Sequence, residues 1–183
     1  MALHRNNVLQ PIRRRLPRRL LYAAMRPLIL AVLLLAPGRA SAIQASCVVE
    51  RVIDGDTFVC TTGTHVRMLQ INAPEANACG GAWSTAALRY LFLPAGTVVR
   101  LDYDVVTQDR YGRDLAAPIV IGADGADYNI SIMMVYVGLA KSAYYGDNAK
   151  YLDWSRASEA FARQAQWNMW APGAPFDGGA YCG

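Results

Sequence analysis

Cys47–Glu75 reads CVVERVIDGDTFVCTTGTHVRMLQINAPE, and this stretch decides the fold. Cys47–Ile53 and Thr57–Thr61 are short runs rich in β-branched and aromatic residues, separated by Asp54-Gly55-Asp56. Such runs around an Asp/Gly break predict a hairpin whose turn residues tolerate positive φ. His65–Ile71 then alternates polar and apolar side chains, the period of a half-buried strand, until Asn72-Ala73-Pro74 breaks it.

Outward from there, Trp83–Leu93 has helix-forming composition, with Ser84 or Thr85 placed to cap its start. Thr97–Tyr103 alternates again, and Leu115–Ile121 predicts a strand beyond the Gln108–Asp114 loop. Pro118 cannot donate to a ladder, so it predicts an edge or a bulge. Asn129 is placed to cap a helix over Ile130–Val137, with Gly138 as its terminator. Asp153–Trp167 sets Trp154, Ala157, Phe161 and Ala165 at helical spacing, which predicts a core-facing stripe. The Gly/Pro-rich tail from Ala171 is expected to be loose unless Cys182 ties it down. Five short strands with a helix after the third and helices at the end predict an α+β chain. The expected architecture is a five-stranded OB-fold β-barrel with about three α-helices.

Charge divides the chain. Eight of the 18 basic residues, all arginine, and none of the 14 acidic ones lie in residues 1–42, so residues 43–183 carry net −4. A global basic field that would steer a polyanion is therefore excluded, and any phosphate chemistry needs a local cationic site. The first segment reads as a cleaved signal peptide: an arginine-rich start, an apolar core at Pro27–Pro37, and Ala40-Ser41-Ala42 before a cut at Ile43. Residues 43–183 suit one domain. Export, to a periplasm or beyond, would favour disulfides among Cys47, Cys60, Cys79 and Cys182. Cys47 and Cys60 sit on the two arms of the first hairpin, which predicts Cys47–Cys60 and leaves Cys79–Cys182; the other pairings stay open at this point. His65, the one histidine after the leader, argues against a His-rich zinc centre, and a surface strand position is expected for it.

Asp54 and Asp56 at one break, and Asn72–Glu75 at a second, place hard oxygen donors at the same end of adjacent strands. That set suits Ca²⁺ rather than Zn²⁺. Arg67 lies between the two breaks, and Arg113 closes Asp109-Arg110-Tyr111-Gly112-Arg113. A carboxylate to deprotonate water, a cation for a phosphoryl oxygen and guanidinium forks for growing charge are the parts needed to attack a phosphodiester.

Val52–Thr57, Val66–Leu69, Pro74-Glu75, Asp109–Arg113 and Gly138-Leu139-Ala140 together resemble the staphylococcal nuclease (thermonuclease-like) family over roughly residues 47–170. The resemblance implies a Ca²⁺-dependent nuclease acting on DNA and RNA, preferably single-stranded, and leaving 3′-phosphate ends. It implies Asp56, Asn72 and the Ala73 carbonyl as metal ligands, and Glu75 as general base. It implies Arg67 and Arg113 on the scissile phosphate, and Tyr111 and Tyr144 on bound nucleotide. The chain departs from the family pattern at Asn72, where a carboxylate is expected, at Ala73, where a threonine is usual, and in the lysine-free segment after Glu75. The loss of a charge at Asn72 predicts weaker calcium binding. A non-catalytic nucleic-acid-binding module on the same barrel is the alternative, and a monomer free of membrane is the expected state.

Overall fold

The computed structural model describes residues 45–177; the expected signal peptide and Cys182 lie outside them. Strand β1 (Ser46–Val52) pairs antiparallel with β2 (Thr57–Cys60), which pairs antiparallel with β3 (His65–Met68). β3 runs parallel to β6 (Asp114–Ile121), with Arg67 opposite Leu115. β6 is antiparallel to β5 (Val98–Gln108), and β5 returns to β1 with Val99 opposite Cys47. The pairings β1-β2-β3-β6-β5-β1 thus run round a ring of five strands, the OB arrangement. Two additions lie outside the ring. β7 (Asp127–Asn129) pairs with β6, and the short β4 (Ile71–Asn72) pairs with β8 (Lys141–Ser142).

Inward-facing Val49, Phe58, Val66, Met68, Val99, Leu101 and Ala116 fill the ring, joined by Leu88, Leu93 and Met134 from the helical segments. The Cys47–Cys60 disulfide ties β1 to β2 across a sequence separation of 13, as the hairpin predicts. Cys79 is also disulfide-bonded. His65 opens β3 and is exposed.

The first turn departs from expectation in its reason. None of Asp54, Gly55 and Asp56 has positive φ. Gly55 is required by space instead, because a Cβ there would lie 1.9 Å from Ser84 Oγ and 2.6 Å from the Ala73 Cβ. The third strand is also shorter than its alternation suggests. Gln70, with φ 57° and a fully buried side chain, turns the backbone out of β3, and Ile71–Asn72 pair elsewhere as β4. Pro118 finds its place in a gap. Asp114–Ala116 pair with β3 and Ile119–Ile121 with β7, so on that side Pro118 has no partner to fail.

Helix α1 (Gly81–Ala87) starts earlier than predicted and runs into a π-helical turn at Leu88–Phe92. Neither Ser84 nor Thr85 caps it; the N-cap is Gly80 in the left-handed region at φ 81°. Both hydroxyl residues are buried inside the helix, and Ser84 Oγ donates to the Leu139 carbonyl at 2.9 Å. Helix α2 (Ile130–Tyr136) is capped by Asn129, whose Oδ1 accepts from Ile132 N, and it ends at Gly138 with φ 72°, as expected.

Helix α3 (Leu152–Gln164) overturns the predicted core stripe. Its buried positions are Leu152, Ser155 and Ala162, while Trp154, Ala157, Phe161 and Ala165 all face solvent. Helical spacing was right and the phase was wrong. The aromatic rings on the outer face satisfy one another, Phe161 stacking on Tyr136 with centroids 4.6 Å apart and meeting Trp167 edge-on. The tail from Ala171 is expected to be loose unless Cys182 ties it down; Cys182 lies outside the described residues, and the part within them is packed. Met169 and Ala174 are buried, and Trp170 packs on Phe176 with Lys141 over both rings.

Candidate active site

The β1–β2 turn presents Asp56 into the protein rather than to water. Asp54 Oδ1 accepts from Asp56 N at 3.0 Å, fixing the turn, and Thr57 Oγ1 donates to Asp56 Oδ1 at 3.1 Å. Asp56 Oδ2 accepts from Ala73 N at 2.7 Å and lies 3.0 Å from Arg67 Nη2. Burial pushes the Asp56 carboxyl up to about 6, against the pull of the Arg67 charge and the Ala73 N–H. A buried carboxylate so placed remains short of positive charge.

Arg67 sits within β3, three residues before Gln70 breaks the strand path. Its Nη1 donates to the carbonyls of Met68 (2.8 Å) and Ile71 (3.1 Å), and its Nη2 donates to Asn72 Oδ1 at 3.1 Å. Asn72 Oδ1 also accepts from the Tyr145 hydroxyl at 3.0 Å, and the Tyr145 ring lies 5.6 Å from the Arg67 guanidinium. Tyr145 is held there because its loop is moored to β5. Asn148 pairs through its amide with both N and O of Val106, at 2.8 and 2.9 Å, and Asp104 accepts from Ala149 N and Lys150 N.

Arg113 is set differently. Asp109 Oδ2 takes its Nε at 2.7 Å, while Asp109 Oδ1 takes the backbone N–H of Tyr111 at 2.8 Å and of Arg113 at 3.0 Å. Burial works to raise the Asp109 carboxyl, but these donors together hold it below the usual carboxylate range. Anchoring through Nε alone leaves both terminal nitrogens of Arg113 without a partner among the described residues. The guanidiniums of Arg110 and Arg113 lie 4.8 and 5.5 Å from the exposed Tyr111 ring.

Glu75 is exposed, and its carboxylate has no hydrogen-bond or ionic partner among the described residues. Its backbone is tightly placed nonetheless. The Glu75 carbonyl accepts from Ala78 N at 2.8 Å, and a Cβ at Gly81 would fall 1.8 Å from that oxygen. Gly81 therefore lets the start of α1 press against the Glu75 segment.

One cavity of about 610 Å³ is lined by Asp54, Asp56, Arg67, Glu75, Tyr111 and Arg113, together with Tyr145 and Gly146 from the moored loop. Asn72 and Ala73 stand behind it, bonded to Arg67 and Asp56. Tyr144 does not line it; that ring faces a neighbouring cavity against α3. Sequence reasoning passed over Tyr145, Asp109 as the arginine clamp, and Asn148 as the mooring. Asp109 was signalled by its spacing of four from Arg113, whereas Tyr145 and Asn148 carry no local pattern. Among the described residues, no group of three or more His, Cys, Asp or Glu converges, so a metal there must rely on neutral oxygens as well.

A barrel that presents two arginines, a free glutamate and a buried aspartate in one cavity has the layout of a phosphodiester hydrolase. Comparison with known sequences agrees. A family model described as staphylococcal nuclease homologue matches residues 65–172. The chain is 30% identical to a thermonuclease of Staphylococcus intermedius over 135 residues, covering 68% of this chain and 76% of that one. It is 28% identical to a thermonuclease of Staphylococcus hyicus, covering 73% and 80%. It is 32% identical to endonuclease YncB of Bacillus subtilis (strain 168), covering 67% and 60%. The chain belongs to the staphylococcal nuclease homologue family, and so to the phosphodiester-hydrolysing enzymes.

Proposed function

We propose that the protein is an exported endonuclease that hydrolyses DNA and RNA with Ca²⁺, leaving 3′-phosphate ends. The observation that carries this reading is one cavity lined by both Glu75 and Arg113, in which the Glu75 carboxylate and the two terminal nitrogens of Arg113 have no hydrogen-bond or ionic partner among the described residues. Glu75 takes a proton from water as its oxygen attacks phosphorus. The bond from phosphorus to the 5′ oxygen breaks, and the 5′ oxygen leaves with a proton from solvent. Arg113 holds two phosphoryl oxygens through its terminal nitrogens, a fork geometry that strengthens as charge grows. Asp109 is a positioning residue that fixes that fork.

The donor set fits a hard cation. Asp56 Oδ2 and Asn72 Oδ1 already converge on one positive nitrogen, Arg67 Nη2, at 3.0 and 3.1 Å. Asp56, Asn72 and the Ala73 carbonyl are the residues that would hold Ca²⁺. Bound there, the ion supplies positive charge to a phosphoryl oxygen. With only Asp56 charged among them, affinity is expected to be low, which suits a calcium-rich extracellular setting. Arg67 reaches the phosphate by exchanging its Nη2 contacts, whereas Arg113 is ready without rearrangement.

The leader at 1–42, the disulfides and the domain at 43–183 support export. Single-stranded or frayed substrate is the proposed preference, with the exposed Tyr111 ring as a stacking surface. A monomer is the proposed state. Purified protein should cut single-stranded DNA and RNA in Ca²⁺ and stop in EDTA. Glu75→Gln should abolish cutting while oligonucleotide binding persists. Wild-type protein that binds an oligonucleotide and never cuts it would establish the non-catalytic module instead.

A further inference from the structure

A second cavity of about 440 Å³ opens between the segment Ser142–Tyr144 and helix α3, lined from the helix by Leu152, Arg156, Glu159 and Arg163. Tyr144 lines this cavity and the next residue, Tyr145, lines the first. Their α-carbons are therefore only about 3.8 Å apart.

Its charge is the notable feature. Glu159 is committed inside the protein: Oε2 accepts from Ser142 N at 2.6 Å and Oε1 lies 2.8 Å from Arg163 Nη2. Arg163 is further held with its guanidinium 4.1 Å from the Trp170 ring centroid. The pair cancels, and Arg156 leaves the cavity with net +1. Among the described residues, Arg156 alone of the basic side chains after the leader has no hydrogen bond, ion pair or ring contact. An unpaired guanidinium on a domain of net −4 is an available anion ligand, in a molecule that offers few.

We infer that this cavity is a second phosphate subsite for the polynucleotide chain, in which Arg156 binds a phosphate next to the one held at Glu75 and Arg113. The Tyr144 ring, about half exposed, is the adjoining wall on which a sugar or base rests. This deepens the nuclease reading and rests on it. It explains how a domain with no global basic field still holds polymer: the strand is gripped at two adjoining points rather than drawn in from a distance.

The test uses the full chain carrying Glu75→Gln to prevent cutting, with anisotropy of a labelled single-stranded oligonucleotide and of a dinucleotide. Adding Arg156→Gln should weaken oligonucleotide binding by about fivefold, the scale of one exposed ion pair. The slope of log K against log salt should fall by about 0.7, one single-strand phosphate. The dinucleotide, too short to fill both cavities, should lose less, and Arg156→Lys should restore most of the loss and the salt slope. Equal losses for both ligands, no loss for either, or an unchanged salt slope overturns the subsite. Cleavage by the protein without Glu75→Gln is scored separately. Normal cutting with unchanged Arg156→Gln binding sinks the subsite alone. An Arg156-dependent grip without any cutting upholds the subsite and sinks the nuclease reading.

Discussion

Glu75 and Gln70 lie five residues apart and predict opposite outcomes. Glu75 is exposed and unpartnered, so Glu75→Gln should leave the melting temperature unchanged. Its turnover should fall by about 10²–10⁴-fold, the usual worth of a general base. A wild-type rate in that variant would end the assignment. Gln70 is buried with both amide atoms lacking a protein partner. Gln70→Met removes that desolvation cost and should raise stability by about 1 kcal/mol, read by thermal denaturation. Gly55→Ala should lower stability by about 1–3 kcal/mol or more, since the new methyl meets Ser84 Oγ at 1.9 Å. Asp109→Asn loosens Arg113 and should reduce turnover more than KM. Its stability deficit has a defined pH window. The folded carboxyl sits below its unfolded value of about 4, so its contribution is present above that and lost as pH falls through the folded value. The deficit should therefore close in strong acid. The residue types at these positions were legible in sequence, but their environments were not. Gln70 looks like one more polar residue in an alternating strand, and only its buried, left-handed backbone shows that it breaks β3.

At the scale of elements, the hairpin and α3 teach different lessons. The hairpin was legible because strand period, turn residues and the Cys47/Cys60 pair are all local. Replacing both cysteines by alanine should cost about 3 kcal/mol in the chain-entropy account for a separation of 13, measured in denaturant. Helix α3 was legible as a helix and misread in phase. Leu152→Ala should cost about 2–5 kcal/mol, whereas Trp154→Ala, 66% exposed, should change stability by roughly 0.5 kcal/mol or less. The reverse ranking would restore the core-facing aromatic stripe. Large aromatics at helical spacing mark a face, and whether it meets the barrel or solvent depends on what else can cover them. Here Tyr136 from α2 and Trp167 beyond the helix partly cover Phe161, while the only ring contact of Trp154 among the described residues is with Tyr151.

For the molecule as a whole, net charge and metal affinity set its working conditions. The proposed Ca²⁺ site, with one carboxylate on a domain of net −4, should need more calcium than a site with two. Asn72→Asp should tighten calcium binding by titration calorimetry, and it should also strengthen the hold on Arg67 Nη2, which donates to that oxygen. Unchanged affinity in that variant would remove Asn72 from the ligand set. Thermal stability of the wild-type protein should rise with Ca²⁺ by mass action, and chelation should reverse it.

The amino-acid sequence by itself determined the family, the hairpin and the order of the chemical groups, because these reside in residue identity and short-range period. It also determined that the positive charge of the chain belongs to its first 42 residues. Tertiary structure alone decided which oxygens cage Arg67, that Asp109 clamps Arg113 by one nitrogen, that Tyr145 rather than Tyr144 lines the cavity with Glu75, and that Arg156, in the cavity lined by Tyr144, has no partner among the described residues. Asp109 and Arg113 are only four residues apart, and spacing alone does not say which nitrogen is held. The contacts of Asp56 with Arg67 and of Tyr145 with Asn72 join groups far apart in the chain. They follow from ring closure between β3 and β6 and from the seating of α3, which no local pattern encodes.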